Sequence, residues 1–289
     1  MNPEARLAEI ITALEAVELS CLVMGGHAVR FYGVDRNTID FDLHLAPDCW
    51  PDLYAKLNQT KIFAGKPPIE GPSWRPNDFR RFRIGTLPSG REEWLEFWRE
   101  NHLLAPFAEL FSRREQGAYG GRTLAFLSLP DLIRSKETER ESDWQDIAFL
   151  EEFLDARFLA QAAAGQVSLV AVLAQVRSRR GFESHLQQGH LKEPALVQQA
   201  LTAAKLSITQ AYLLPCVPEV QDLSAVAVPM EPVVLNRLRT ASPGSSLHLA
   251  LVEVVRRQWK LAAQAVDKAN KEAIRAAQAA AGKTTDPGK

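Results

Sequence analysis

Apolar residues recur at Leu7, Ile10, Ile11, Leu14 and Val17, the spacing of one helical face, and Pro3 suits a first turn, so the chain opens on a predicted helix over 3–18. A short apolar run then predicts a strand at 20–24, followed by a glycine turn and a short helix from His27. The run Ile-Asp-Phe-Asp-Leu-His-Leu alternates polar and apolar as a strand does and predicts one at 39–45. Asp48 is placed to cap a helix through 53–57. Residues 61–78 carry Pro67, Pro68, Pro72 and Pro76 and read as an irregular loop. Strands are expected at 79–84 and 93–98, joined through the turn Leu87-Pro88-Ser89-Gly90. A helix over 106–116 leads to a last strand at 122–126.

Ser128-Leu129-Pro130-Asp131 opens a further helix with a cap and an acid three residues on, the capping-box arrangement with Asp in place of Glu. Lys136, Arg140, Asp143 and Asp146 punctuate the next stretch, and Ile147, Leu150, Phe153 and Leu154 continue it helically. Gly165 marks a boundary. Beyond it the pattern is helical at 167–176, 195–214, 232–238 and 247–261, and an Ala- and Lys-rich end over 262–281 extends the last helix. The expected organisation is an α+β domain over 1–165, an all-α C-terminal domain over 166–281 and a disordered tail over 282–289. The early strands are few, short and interleaved with helices, which suits a small mixed β-sheet better than a doubly wound nucleotide domain.

The 289 residues allow one large domain or two ordinary ones, and a net charge of −1 supplies no global field to attract nucleic acid. Any such partner would need a local patch. One candidate is the run Arg75, Arg80, Arg81, Arg83 and Arg91, which reads either as a stripe that tracks a polynucleotide backbone or as the solvated outer face of a sheet. Cys21, Cys49 and Cys216 form no CxxC pair and no disulfide framework, which fits a reducing cytosol. Acidic residues near the start, Glu4 and Glu9, argue against a signal peptide, and no stretch reaches the roughly 20 apolar residues of a bilayer span. The expectation is a cytoplasmic protein without a membrane partner.

The chemistry concentrates between Met24 and Leu45. Gly25-Gly26 lets backbone approach a phosphate, because glycine has no side chain and helix-start N–H groups are unpaired. Asp40 and Asp42 lie two apart on one strand, so both carboxylates point to one face and can reach one divalent ion. A dinucleotide fingerprint is excluded: it needs three spaced glycines and an acid about twenty residues later. Here the glycines are adjacent and Asp40 arrives too early.

Gly25-Gly26-His27-Ala28, Gly33, Arg36, Thr38, Asp40 and Asp42 resemble the signature of the DNA polymerase β-like nucleotidyltransferase superfamily, in particular its minimal bacterial branch of AbiEii/MenT-type toxins. The later block, Leu127 to Ile133 followed by Lys136, Arg140, Asp143 and Asp146, is similar to that branch's second landmark. The resemblance spans residues 20 to about 155. It implies a small nucleotidyltransferase sheet with helices that binds a nucleoside triphosphate and Mg²⁺. Gly25, Gly26, Arg36, Thr38 and Lys136 would hold the nucleotide, and Asp40 and Asp42 the metal. Magnesium also suits carboxylate and phosphate oxygens on physical grounds.

For a third carboxylate the chain offers Glu96 in Trp94-Leu-Glu-Phe-Trp98, where relatives commonly place an aspartate. A charge flanked by large apolar residues is costly unless paired, which favours Glu96 over Glu92 and Glu93. Glu96 reads either as a third metal ligand and base or as a structural glutamate paired with an arginine. Arg36 can ion-pair with Asp40 or Asp42 or touch a phosphate, and Lys136 can meet phosphates or stand exposed. His27 suits a local hydrogen bond at the helix start, and His44 the end of its strand. The resulting expectation is a Mg²⁺-dependent transfer of a nucleoside monophosphate to a hydroxyl, of a tRNA 3′ end or a protein. The setting would be a toxin–antitoxin pair with a cognate antitoxin, or phage defence. The alternative is a non-catalytic nucleotide-sensing or protein-binding module of the same fold.

Overall fold

A computed structural model describes residues 2–168, except 74, 102 and 139, together with residues 268, 269 and 272. The helical region and tail expected beyond 168 lie outside the described residues, apart from Lys268, Ala269 and Glu272, which are helical.

Helix α1 (Pro3–Glu15) starts where Asn2 caps it through a bond from the Glu4 N–H, and Leu7, Ile10, Ile11 and Leu14 bury its predicted face. Strand β1 (Cys21–Val23) runs into α2 (Gly25–Phe31), which begins at the glycine pair, two residues before the expected start. Gly25 has φ +62°, a left-handed backbone that turns strand directly into helix. Strand β2 (Phe41–Leu45) is shorter than expected, and Asp40 occupies the bend just before it. A 3₁₀ turn, Pro47–Cys49, contains Asp48, which caps nothing, and α3 (Leu53–Asn58) follows.

The proline-rich stretch is not wholly irregular, since it holds the two-residue strand β3 (Ile69–Glu70). Strands β4 (Phe79–Thr86) and β5 (Glu92–Trp98) form the expected hairpin, with an irregular register between Arg83 and Gly85. The helix expected over 106–116 is cut short: α4 (Phe107–Ser112) gives way to strand β6 (Glu115–Tyr119). β6 turns through Gly120 and Gly121, both at positive φ, into β7 (Arg122–Phe126). Ser128 caps α5 (Leu129–Ser135), accepting from the Asp131 N–H while donating to its Oδ2 at 2.6 Å. The last described element is α6 (Glu141–Ala163).

The strands form one seven-stranded mixed sheet in the order β3-β4-β5-β2-β1-β7-β6. The pairs β1–β7 and β2–β5 are parallel and the others antiparallel. The sheet is therefore mixed, as expected, but wider. Register decides which face is chemical. Phe41, Leu43, Leu95, Phe97 and Phe82 share one face and are all buried in the core. Asp42, Glu96 and Arg81 alternate with them and share the other.

Candidate active site

Glycine at 25 is required by a carboxylate. A Cβ built there would lie 2.6 Å from Asp42 Cβ and overlap its carboxyl group, so only bare backbone fits beside Asp42. Gly26 faces Thr38 in the same way, with the Thr38 Cβ 2.6 Å from where a side chain would start. Thr38 Oγ1 donates to the Asp40 carbonyl at 3.3 Å, tying the glycine turn to the approach of β2. The Met24 N–H donates to the Asp42 carbonyl at 3.0 Å and closes the contact from the backbone side.

Across the parallel pair, Asp42 stands opposite Glu96. Burial, followed by Asp42 and Asp40, pushes the Glu96 carboxyl up to about 8, so it keeps its proton at neutral pH and hydrogen-bonds Asp42. Asp40 is also raised, by burial first and then by Asp42, with the Trp94 backbone N–H opposing. Its Oδ1 is buried without a hydrogen-bond partner. The charge of Glu96 is thus disfavoured by both aspartates, and that of Asp40 by Asp42.

Arg36 and Lys136 go elsewhere than expected. Arg36 forms an ion pair with Asp146 and lies 4.0 Å from Asp143, not against Asp40 or Asp42. The exposed lysine of the sequence reading is 4 % exposed, with Nζ 2.9 Å from Asp143 Oδ1 and 3.1 Å from Asp146 Oδ2. Burial lowers the Lys136 pKa and Asp143 opposes that loss. Asp143 also receives Arg140 Nε at 2.8 Å and the Thr138 hydroxyl. Burial raises its pKa, but Lys136, Thr138 and Arg140 outweigh that and leave it below the ordinary carboxylate range. Lys136 and Arg140 both act electrostatically on Asp42, and Arg140 on Glu96 as well, so this network borders the three carboxyls.

The sequence reading placed Asp143 and Asp146 in the later landmark block but assigned them no role; the structure shows them as the partners of Lys136 and Arg36. The sequence reading also missed the Arg30 brace. Arg30 Nη1 donates to the Arg36 carbonyl and Nη2 to Glu4 Oε1, both at 2.9 Å, holding the segment that carries Arg36, Thr38 and Asp40. His27 makes a long-range contact instead of the local one expected: its Nδ1 meets the Tyr119 hydroxyl at 2.9 Å and its ring stacks on Phe41. His44 is buried edge-on to Phe107.

Two arginines of the basic stripe, Arg80 and Arg83, are matched by carboxylates, as is Arg99 beyond it. Arg80 forms a bidentate pair with Glu70 at 2.7 Å, Arg83 meets Glu92 at 2.8 Å and Arg99 meets Asp78 at 3.0 Å. Of the two readings of this strand, pairing at Arg80 and Arg83 favours the solvated outer face.

Among the described residues no group of three or more His, Cys, Asp or Glu side chains forms a ready-made metal cage. No helix among them is long and apolar enough to cross a membrane.

No protein-family model matches the chain, and no curated protein does. Solved structures resemble the chain only weakly, two of them as follows. The lincomycin-bound lincosamide antibiotic adenylyltransferase LnuA shares 17 % identity at a TM-score of 0.38, covering 51 % of this chain and 95 % of its own. An antigenic nucleotidyltransferase-like protein from Paracoccidioides brasiliensis shares 18 % identity at a TM-score of 0.35, covering 70 % of this chain and 94 % of its own. What the site can do is read from its own residues.

Proposed function

We propose that the chain is a Mg²⁺-dependent nucleotidyltransferase of the polymerase β-like kind, which moves a nucleoside monophosphate from a triphosphate to a hydroxyl. The observation that carries this reading is the convergence of Gly25, Asp42 and Glu96. Bare backbone, a carboxylate and a protonated acid meet on one sheet face, with Asp40 presenting an unpartnered oxygen beside them.

These residues fit a divalent cation. The raised carboxyls of Glu96 and Asp40 and a buried orphan oxygen are relieved by positive charge. Magnesium keeps waters and phosphate oxygens in its shell, so two carboxylates from the protein suffice to hold it. Asp40 and Asp42 would hold it; when bound it would offset the triphosphate's charge and polarise the α-phosphate.

The glycine turn leaves room for the triphosphate to approach the backbone. Glu96 passes its proton to solvent water, and its carboxylate then accepts the proton of the acceptor hydroxyl. The hydroxyl oxygen forms its bond to the α-phosphorus as the bond to the β-phosphate oxygen breaks, and pyrophosphate leaves. Lys136 and Arg36 do not touch phosphate in this reading. They hold Asp143 and Asp146 and lend positive potential to the border of the site. A tRNA 3′ end or a protein hydroxyl is the proposed acceptor, in a toxin–antitoxin or phage-defence setting in the cytoplasm.

Incubation with labelled nucleoside triphosphates, Mg²⁺ and total tRNA tests the proposal. Label on RNA or on the protein is expected. Absence of both label and triphosphate binding refutes it, and tight binding without turnover favours the sensing module.

A further inference from the structure

The register of the sheet gives the site a direction. Strand order runs β1, β2, β5, β4, so the glycine turn at the end of β1, Asp42 on β2, Glu96 on β5 and Arg81 on β4 follow one another across the sheet. Neighbouring strands are about 4.8 Å apart, which places Arg81 next to Glu96 and about 10 Å from Asp42. If the triphosphate enters over the glycine turn, the acceptor must come from the opposite side, over β4. Arg81 is the first side chain it meets beyond Glu96.

Arg81 differs from its neighbours. Arg80, Arg83 and Arg99 are each matched by a carboxylate, whereas Arg81 makes no ion pair with any described residue. Its Nε is buried without a hydrogen-bond partner, and its guanidinium lies 4.5 Å from the centre of the Trp94 ring. Gly71 completes the shelf, because a Cβ there would press on both the Trp94 ring at 2.6 Å and Arg81 Nε at 3.1 Å. The guanidinium thus sits over an aromatic ring and against the backbone at Gly71. It acts on Glu96 and Asp40 through its charge while both retain their burial. Arg91, in the exposed turn between β4 and β5, also acts on Asp40 but is solvated.

We infer that Arg81, laid on Trp94, is an acceptor-side anion subsite that binds one phosphate next to the hydroxyl being modified. The inference rests on the nucleotidyltransferase reading and narrows its acceptor to a phosphate-bearing one. A single oriented guanidinium with its neighbours neutralised suits one phosphate rather than an extended backbone. It offers the fork geometry that matches phosphate oxygens. A polynucleotide 3′ end and a phosphorylated small molecule both present that chemistry.

The test uses the full chain saturated with Mg²⁺ and a non-hydrolysable nucleoside triphosphate, which fills the nucleotide side. Calorimetric titration then compares three probes: adenosine, adenosine 5′-monophosphate and the dinucleotide cytidylyl-adenosine. The wild type is expected to bind at least one phosphate-bearing probe roughly tenfold or more tightly than adenosine, the scale of one charge-assisted hydrogen bond. Preference for the dinucleotide assigns a polynucleotide end, and preference for the monophosphate a small molecule. Arg81→Gln should erase the discrimination, Arg81→Lys should retain part of it, and triphosphate affinity should be unchanged in both. Equal binding of all three probes, no binding of any, or discrimination that survives Arg81→Gln overturns the subsite while leaving the nucleotidyltransferase reading in place. A wild type that binds no triphosphate overturns both. A purely structural Arg81 would lower the melting temperature in Arg81→Gln without moving the probe ratio, and that result also overturns the subsite.

Discussion

Asp42 and Glu96 occupy the same register position of the parallel β2–β5 pair, and Glu96 keeps its proton against Asp42 at neutral pH. Burial is the larger cause and the neighbouring charge the second. The folded chain therefore holds an acid whose ionisation is deferred until something positive arrives.

Glu96→Gln follows from that relation. A raised folded pKa, about 8 against an ordinary 4.5, stabilises the fold fully below pH 4.5, and the contribution is lost as pH rises through 8. Wild-type stability relative to Glu96→Gln should fall over that window by an amount on the order of a few kcal/mol. Urea unfolding of both proteins at pH 5, 7 and 9 measures it. On the functional side the variant should bind triphosphate nearly as well and transfer it at least about 100-fold more slowly, the scale of a lost general base.

The buried histidines act in the opposite sense. Burial holds His27 and His44 each down at about 4, from an ordinary 6.5. Depressed histidines support the fold above pH 6.5, and that support drains away as pH falls towards 4, on the order of 3 kcal/mol for each. In the Glu96→Gln background, where the opposing carboxyl is gone, unfolding free energy should drop steadily between pH 7 and pH 4.5. A flat profile there would show that the rings are reached by water.

Asp42→Asn and Asp40→Asn should abolish transfer without unfolding the chain, because each removes a charge from a crowded set. Melting temperature should stay level or rise. A large fall in melting temperature with metal-independent activity retained would contradict the assignment.

Gly25→Ala combines a left-handed backbone with a direct overlap on Asp42. It should cost at least about 1–3 kcal/mol of stability, the scale of such backbone strain, and remove triphosphate binding. Chemical denaturation and calorimetry read the two effects separately.

Lys136→Met leaves Asp143, fully buried, and Asp146 short of a partner. Breaking a buried pair from one side costs about 3–5 kcal/mol, and Arg36 and Arg140 are expected to hold the loss to the lower end. Denaturant midpoints test it, with Lys136→Arg as the charge-retaining comparison.

The elements with regular patterns were legible in the sequence: α1 by its apolar stripe, β2 and β5 by alternation, α5 by its Ser128 cap. β3 was hidden because two residues between prolines carry no period, and β6 because Glu-Gln-Gly-Ala-Tyr has little of the branched or aromatic character of strands. Both are held by pairing with a neighbour, which only tertiary structure supplies. Within the site, Gly25, Asp40, Asp42 and Glu96 could be picked out singly, but their shared face depends on a parallel pairing of distant strands. Lys136 was misread because burying a lysine is costly in isolation. Asp143 and Asp146, in the first two turns of the next helix, remove that cost.

The most direct test of the central claim is a crystal structure of the chain with Mg²⁺ and a non-hydrolysable nucleoside triphosphate. The expected result is a metal ion coordinated by Asp40 and Asp42, with the triphosphate against Gly25 and Glu96 within reach of the α-phosphate. A triphosphate bound away from this face, or a metal ion that touches neither aspartate, would contradict it.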